Sequence, residues 1–568
     1  APIPSPTALK PPTHPTCIQN MTTLDEQRLQ AGFDKYPKPD FHFAYGTAGF
    51  RARADILGNV CFRMGVIAAL RSVSLHGRAV GLMITASHNP EQDNGIKMVD
   101  AEGEMLAAEW EPICTRIVNA ESVDLLQQEI HHAVESMQID LKASSPHVIC
   151  GYDTRPSALA LTKAAEDGLH VLGAHIFNAG LVTTPQLHFL VMESNMKNLE
   201  LPLDAPPTVD MYYERLASSF VKFLAGTPFP VPIVIDCANG VGAHAIQNLT
   251  KILPEGLVDI TLLRTSMHEQ GKLNHACGAD FVKSKQCLPA GYENEPTVQP
   301  GSLLCSFDGD ADRIVFYYVT GPVRDPASFH LLDGDKIATL ATDFISELVR
   351  EARLDITVGC VQTAYANGAS TAYLTQQHVP VTCTKTGVKH LHHAAKEYDI
   401  GVYFEANGHG TVLFSPRAMV AMGLTSSSNE ASPSSTEALD RLRLLTVLIN
   451  QTVGDALSDM LLVLVILAAR RWGAAEWDNC YSDLPNRLTK VSVPDRTLFT
   501  TTDAERRLST PVGLQDKIDK LVQRTPQGRS FVRPSGTEDC VRVYAEAETS
   551  EDAERLAQAV EHLVKTAA

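Results

Sequence analysis

At 568 residues the chain is too long for a single hydrophobic core, because cores stop growing near roughly 250–300 residues, so several domains are expected. Hydrophobic residues at 44% and charged residues at 20% exclude a globally disordered chain. A formal net charge of -18 argues against nucleic acid or an anionic membrane as partner, and any phosphate-bearing ligand would need a local cluster of Arg and Lys to reverse the field.

Residues 1–20 carry six prolines and no apolar periodicity, so they are predicted to be a disordered extension, with Met21 as an expected start. Beyond them, short Val/Ile-rich runs alternate with longer amphipathic segments. Val80–Thr85, His147–Tyr152, Pro232–Cys237, Ser302–Phe307, Ile314–Val319 and Ile356–Val361 read as strands of repeated α/β units with mixed or parallel sheets. The proline-rich stretch Leu201–Thr208 marks a boundary, and Thr425–Thr436, rich in Ser, Asn and Pro, reads as a mobile surface loop. Met460–Ala469 is about half the ~20 apolar residues that a membrane span needs and is expected to be a core helix. From near Trp477 onward a small α+β domain is predicted, ending in a helix over Ser550–Lys565 with Ser550 as its cap. Twelve cysteines scattered from Cys17 to Cys540, without Cys-x-x-Cys spacing, point away from zinc and disulfides and toward a reducing, cytoplasmic setting.

Four motifs could carry chemistry. Thr85-Ala86-Ser87-His88-Asn89-Pro90 follows an apolar strand and precedes Lys97; a serine there, beside a histidine, is placed to act as a nucleophile or to carry a phosphoryl group, although a plain Ser/Asn-Pro turn has the same residues. Asp308-Gly309-Asp310-Ala311-Asp312-Arg313 sets three carboxylates at alternate positions of a tight loop, and a cation would offset their repulsion. A calcium EF-hand fails here, because Arg313 stands where glycine is required and Val319 where the bidentate glutamate is required. Magnesium fits better, since it takes few carboxylates and leaves room for a phosphate oxygen. Tyr403-Phe404-Glu405-Ala406-Asn407-Gly408-His409 offers an acid, an amide and an imidazole for sugar hydroxyls. Arg533-Pro534-Ser535-Gly536-Thr537, with Arg542, has the guanidiniums, hydroxyls and bared amide of an oxyanion site, unless Glu538, Asp539 or Glu546 absorbs the arginines in ion pairs.

Gly240-Val241-Gly242-Ala243-His244-Ala245, with Asp259 downstream, also fits a dinucleotide fingerprint, so an NAD-dependent oxidoreductase is a rival reading. A tight strand-to-helix turn uses the same glycines without a cofactor. The rival also leaves the Asp308 and Arg533 loops unexplained.

Taken in order, these motifs resemble the α-D-phosphohexomutase superfamily from about Tyr45 onward. Supporting matches are Tyr45-Gly46-Thr47-Ala48-Gly49-Phe50-Arg51, Gly151-Tyr152-Asp153-Thr154-Arg155-Pro156-Ser157 and Leu181-Val182-Thr183-Thr184-Pro185-Gln186-Leu187. Within it, Asn407 in place of the usual serine, Ala311 in the metal loop, and Asn274 followed by Cys277-Gly278-Ala279-Asp280 and Val282-Lys283 are similar to the branch acting on acetylglucosamine phosphates. Phosphoglucomutases and phosphomannomutases of the same superfamily, and a sugar phosphatase with the same phosphoserine, are the alternatives.

The resemblance implies an α/β fold in four domains: 21–203 with the phosphoserine loop, 204–320 with the metal loop, 321–474 with the sugar loop, and a C-terminal α+β phosphate-binding domain over 475–568. It implies one Mg2+ per chain held by Ser87, Asp308, Asp310 and Asp312. It also implies a catalytic group of Ser87, His88, Lys97, Arg51 and Arg313, with the acid/base left open among His88, Lys97 and Arg51. Substrate contacts would come from Glu405, Ala406, Asn407, His409, Arg533, Pro534, Ser535, Gly536, Thr537 and Arg542. The implied reaction interconverts N-acetylglucosamine 6-phosphate and 1-phosphate, with a sugar 1,6-bisphosphate as intermediate and activator, in a monomer or weak dimer.

Overall fold

The strands that build this fold are short apolar runs. Val80–Ile84, Leu303–Phe307, Ile314–Val319 and Ile400–Phe404 are buried along their whole length, the pattern of strands covered on both faces. The computed structural model describes residues 23–196, 207–425, 436–535 and 540–567. The expectations for residues 1–20, for most of Leu201–Thr208 and for most of Thr425–Thr436 therefore lie outside the described residues.

Three mixed sheets follow one another along the chain. From edge to edge the first runs Phe50–Arg53, Asp93–Val99, Val80–Ile84, His147–Tyr152 and His175–Leu181; the second runs Phe329–Leu332, Ile314–Val319, Leu303–Phe307, Ile233–Asp236 and Ile260–Leu263. In both, two antiparallel pairings are followed by two parallel ones. The third, Gly410–Phe414, Ile400–Phe404, Val358–Thr363 and Val381–Thr384, repeats one antiparallel and both parallel pairings. In every sheet the chain passes from a strand with a parallel neighbour to an antiparallel one through a single hairpin: residues 85–92, 308–313 and 405–409. The fourth sheet, Asn486–Ser492, Cys540–Glu546 and Arg529–Pro534, is wholly antiparallel, and Leu556 and Val560 of the last helix join its own small core. The α/β architecture with a C-terminal α+β unit is as expected.

Helix Ala456–Arg470 is the predicted core helix. Asp455 caps it by accepting from Leu457 N and Ser458 N, and Met460–Leu467 lie in a core shared with strands of the first three sheets. Among the described residues no helix is long and apolar enough to cross a membrane.

Three details differ from expectation. Strand Phe329–Leu332 pairs with Ile314–Val319, so the second sheet takes its edge strand from beyond the expected boundary at 320. Trp477 is buried in the large shared core, 5.5 Å from Phe316, and its Nε1 donates to Lys336 O. The last helix is capped by Thr549, whose Oγ1 accepts from Asp552 N at 3.1 Å; Ser550 is already its first residue.

Candidate active site

The three hairpins lie at the carboxyl ends of their parallel-paired strands, where open α/β sheets hold ligands. In the first, Ser87 is fully buried and left-handed, with φ +50°, a conformation that costs a non-glycine residue about 1–2 kcal/mol. Its backbone is held from two sides. Arg155 Nη2 donates to Ser87 O at 3.2 Å and Asn89 O at 2.7 Å, and Asn274 Nδ2, from beyond the second sheet, donates to the same oxygens at 2.8 and 3.0 Å. Ser87 N donates to Thr85 Oγ1 at 3.0 Å, and Ser87 Oγ donates to Asp308 Oδ2 at 2.6 Å.

That last bond joins the first hairpin to the second. Asp308, Asp310 and Asp312 are buried, with their ligand atoms within 4.8 Å of one another. Thr184 Oγ1 donates to Asp310 Oδ2 at 2.6 Å, while Lys97 Nζ lies 3.4 Å from Asp310 and 3.3 Å from Asp312. Arg313 Nε is 3.8 Å from both Asp308 and Asp312. Burial, with Asp312 and Asp310 beside it, pushes the Asp308 carboxyl well above the usual range. Burial also works against ionisation of Asp312, but Lys97, His409 and Arg313 together hold it well below that range. Asp310 Oδ1 and Asp312 Oδ1 are buried without a hydrogen-bond partner among the described residues. Buried oxygens left open on converging carboxylates fit a hard divalent cation with oxygen ligands, as Mg2+ is.

Gly309 sets the spacing between the hairpins. A Cβ there would lie 2.5 Å from Ser87 O and 2.9 Å from Asn274 Nδ2, so only glycine lets the acidic loop approach the serine loop this closely. Arg51 stands on the neighbouring strand; burial and Arg313 lower its pKa while Asp310 and Asp312 oppose that shift. His88 is pushed down to about 2 by burial and by Arg313 and Arg51, which makes it a neutral imidazole here.

In the third hairpin, Asn407 Nδ2 lies 3.3 Å from Glu405 Oε2, and Glu405, Ala406 and Asn407 are partly accessible. His409 does not join them. Its ring is buried behind the hairpin, donating through Nδ1 to Asp312 O at 2.8 Å. It braces the acidic loop from the buried side.

In the fourth sheet the register sets Lys490, Arg542 and Arg533 directly opposite one another on three adjacent strands. Like charges in such positions repel and favour an anion between them. Pro534 and Ser535 follow Arg533; Gly536 and Thr537 lie outside the described residues. Of the acids expected to compete for the arginines, Glu538 and Asp539 lie outside the described residues. Glu546 pairs with Arg529 at 2.8 Å, and Arg533 Nε instead faces Glu505 Oε1 at 3.4 Å.

Residues 240–245 are a packing turn. Val241 N donates to Gly309 O at 3.1 Å, and a Cβ at Gly240 would lie 2.4 Å from that oxygen. These glycines seat the acidic loop, so the dinucleotide reading loses its motif. Sequence reasoning gave no role to Arg155, Thr184, Lys490 or Glu505 and took Asn274 only as a mark of the branch. The first two sit in stretches noted for resemblance, whereas Lys490 and Glu505 are brought in only by strand register and a hairpin tip.

Comparison with known proteins agrees with this geometry. Residues 210–315 and 333–472 match the models "Phosphoacetylglucosamine mutase AMG1, domain II" and "domain III". Residues 65–199 and 488–563 match domain I and the C-terminal domain of phosphoglucomutase/phosphomannomutase. Phosphoacetylglucosamine mutase 1 of Schizosaccharomyces pombe is 47% identical over 525 residues, 92% of this chain and 99% of that protein. Two crystal structures of the Aspergillus fumigatus N-acetylphosphoglucosamine mutase are 43% identical and cover 96% of this chain and 99% of theirs. The one in complex with GlcNAc-6P and magnesium has a TM-score of 0.88, and the one with glucose 1,6-bisphosphate 0.87. With nearly whole-length identity of this order, added to the shared sheet architecture, the chain belongs to the phosphoacetylglucosamine mutase family of the α-D-phosphohexomutase superfamily.

Proposed function

We propose that this chain interconverts N-acetylglucosamine 6-phosphate and N-acetylglucosamine 1-phosphate through phosphorylated Ser87. The observation that carries the reading is the 2.6 Å bond between Ser87 Oγ and Asp308, which joins a strained carrier serine to a buried acidic triad. Asp308, Asp310 and Asp312, with an oxygen on Ser87, would hold Mg2+, which neutralises charge spread over the transferring phosphoryl group. The Ser87 Oγ–P bond breaks as a bond from phosphorus to the free sugar hydroxyl oxygen forms, that oxygen losing its proton and Ser87 Oγ gaining one, to give a 1,6-bisphosphate. After that intermediate turns over in the cleft, its other phosphoryl group returns to Ser87.

Arg51, Lys97 and Arg313 form the positive wall that the acidic net charge demands. Arg533, Arg542 and Ser535 anchor the phosphate that is not reacting, and Glu405 and Asn407 meet the sugar hydroxyls in either pose. Residues 21–203, 204–332, 333–478 and 479–567 serve as the four functional units. The partner is a small phosphosugar.

Phosphorus NMR of the chain with Mg2+, a trace of bisphosphate and N-acetylglucosamine 6-phosphate tests this, with glucose 6-phosphate in parallel. Faster formation of the 1-phosphate from the acetylated sugar is expected. Better turnover of glucose 6-phosphate would overturn the substrate, and inorganic phosphate as the product would make the chain a phosphatase. Ser87→Ala is expected to lose all measurable interconversion while phosphosugar binding stays within about threefold; residual turnover would remove the carrier role.

A further inference from the structure

Glu505 sits at the tip of the hairpin between strands Thr500–Thr502 and Arg507–Thr510. Three consecutive non-glycine residues there are left-handed, Asp503 at φ +51°, Ala504 at +54° and Glu505 at +67°. The tip is bent inward at a cost in backbone energy, and the side chain it delivers is a carboxylate that is only 15% exposed. Its two oxygens reach two different units. Oε2 accepts from Thr386 N in the third unit at 2.9 Å, and Oε1 faces Arg533 Nε of its own unit at 3.4 Å. Thr386 precedes Gly387, where a Cβ would stand 3.6 Å from Thr47 Oγ1 of the first unit, so this loop lies against the first unit as well.

An anion fixed against a phosphate-anchoring arginine poses a question, since it weakens the attraction that the arginine offers to phosphate. The contact is longer than a charge-assisted hydrogen bond, and Arg533 Nε has no hydrogen-bond partner among the described residues. The carboxylate is therefore close enough to offset the charge without occupying the donor.

We infer that Glu505 is a positioning residue that tempers the phosphate anchor, acting through Arg533 so that the phosphate can leave it and return as the bisphosphate changes pose. The inference rests on the reading of Arg533 as a phosphate anchor. A mutase needs such tempering: an anchor that grips every pose tightly lowers the ground state of the bisphosphate complex and slows its reorientation. Thr386 N keeps the carboxylate from swinging away, so the arginine meets a competing anion whenever phosphate departs.

The test is Glu505→Gln, which keeps an oxygen for Thr386 N and removes the charge. Binding of N-acetylglucosamine 6-phosphate by calorimetry is expected to tighten about three- to tenfold, and kcat to fall by a similar factor, the size of a partly screened ion pair. Opposite movement of affinity and kcat is not what loss of packing produces. Unchanged or weaker binding overturns the inference. Glu505→Ala, which also loses the Thr386 bond, should tighten binding in the same direction and stands in if the glutamine variant misfolds. Arg533→Ala separates the two readings. If it weakens binding while Glu505→Gln fails to tighten it, only the role of Glu505 falls; if Arg533→Ala leaves binding unchanged, the anchor falls and the tempering role with it.

Discussion

Ser87 is defined less by its own side chain than by what holds its carbonyl. Arg155 and Asn274 bind the same two oxygens from different units, so the strained conformation is over-determined, as persistence of strain requires. Asn274→Ala removes one of the two clamps and should lower unfolding free energy by about 1–3 kcal/mol. Its larger effect should be on chemistry: kcat at least about tenfold lower with KM within about threefold, because in-line placement of the phosphoryl group is disturbed more than phosphosugar binding. Steady-state kinetics beside a denaturant melt checks both; a fall in stability with kcat unchanged would reduce the clamp to a fold contact. Ser87 and the triad were legible as motifs because their chemistry is local in sequence. Asn274 was not, since its two acceptors lie more than 180 residues away and nothing in its neighbours announces them.

At the scale of elements, apolar runs marked the central strands well. His147–Tyr152 and Ile314–Val319 begin and end where the sequence places them, and Ile233–Asp236 lies one residue inside its expected bounds. The edge strands Phe50–Arg53 and Phe329–Leu332 were missed, because an edge strand half open to solvent has no continuous apolar run. Polarity was equally hidden, since burial has a period but a strand's partner does not. Helix Thr184–Ser194 shows a further element-scale effect. It opens with a capping box between Thr183 and Gln186, and buried His188 donates through Nδ1 to Gly103 O at 2.6 Å. Burial, with Lys97 nearby, pushes His188 down to about 3. The unfolded chain binds a proton near pH 6.5 while the folded one stays neutral, so this helix loses stability as pH falls from about 6.5 to 3. His188→Gln, able to donate to the same carbonyl, should flatten the acid limb of a Tm-against-pH curve; an unaltered slope would mean other groups set it.

Across the whole molecule, a partly buried ion pair is among the contacts that tie the C-terminal unit to the third. Arg529 bonds Glu546 at 2.8 Å and donates to Ala364 O and Ala366 O at 2.7 and 2.6 Å, and Glu546 accepts from Gly368 N at 3.1 Å. Arg529→Met leaves Glu546, 1% exposed, without its cation. Undocking should then speed proteolytic cleavage near residues 479–485 and lower kcat/KM by more than about tenfold, with the heat-induced unfolding of the other three units little changed. Equal protease resistance would show that the pair is not the tie. The three hairpins carry a different consequence. Each occupies the same place in its sheet, yet in the proposed reading one bears the carrier serine, one the acidic triad and one the sugar-facing pair. The labour of a single reaction is thus divided among repeats of one architectural position, and each repeat rests on strands of its own. Substitutions that retune the choice of sugar can accumulate in the third hairpin while the two that move phosphate stay as they are, which gives the architecture room to acquire new substrates without relearning its chemistry.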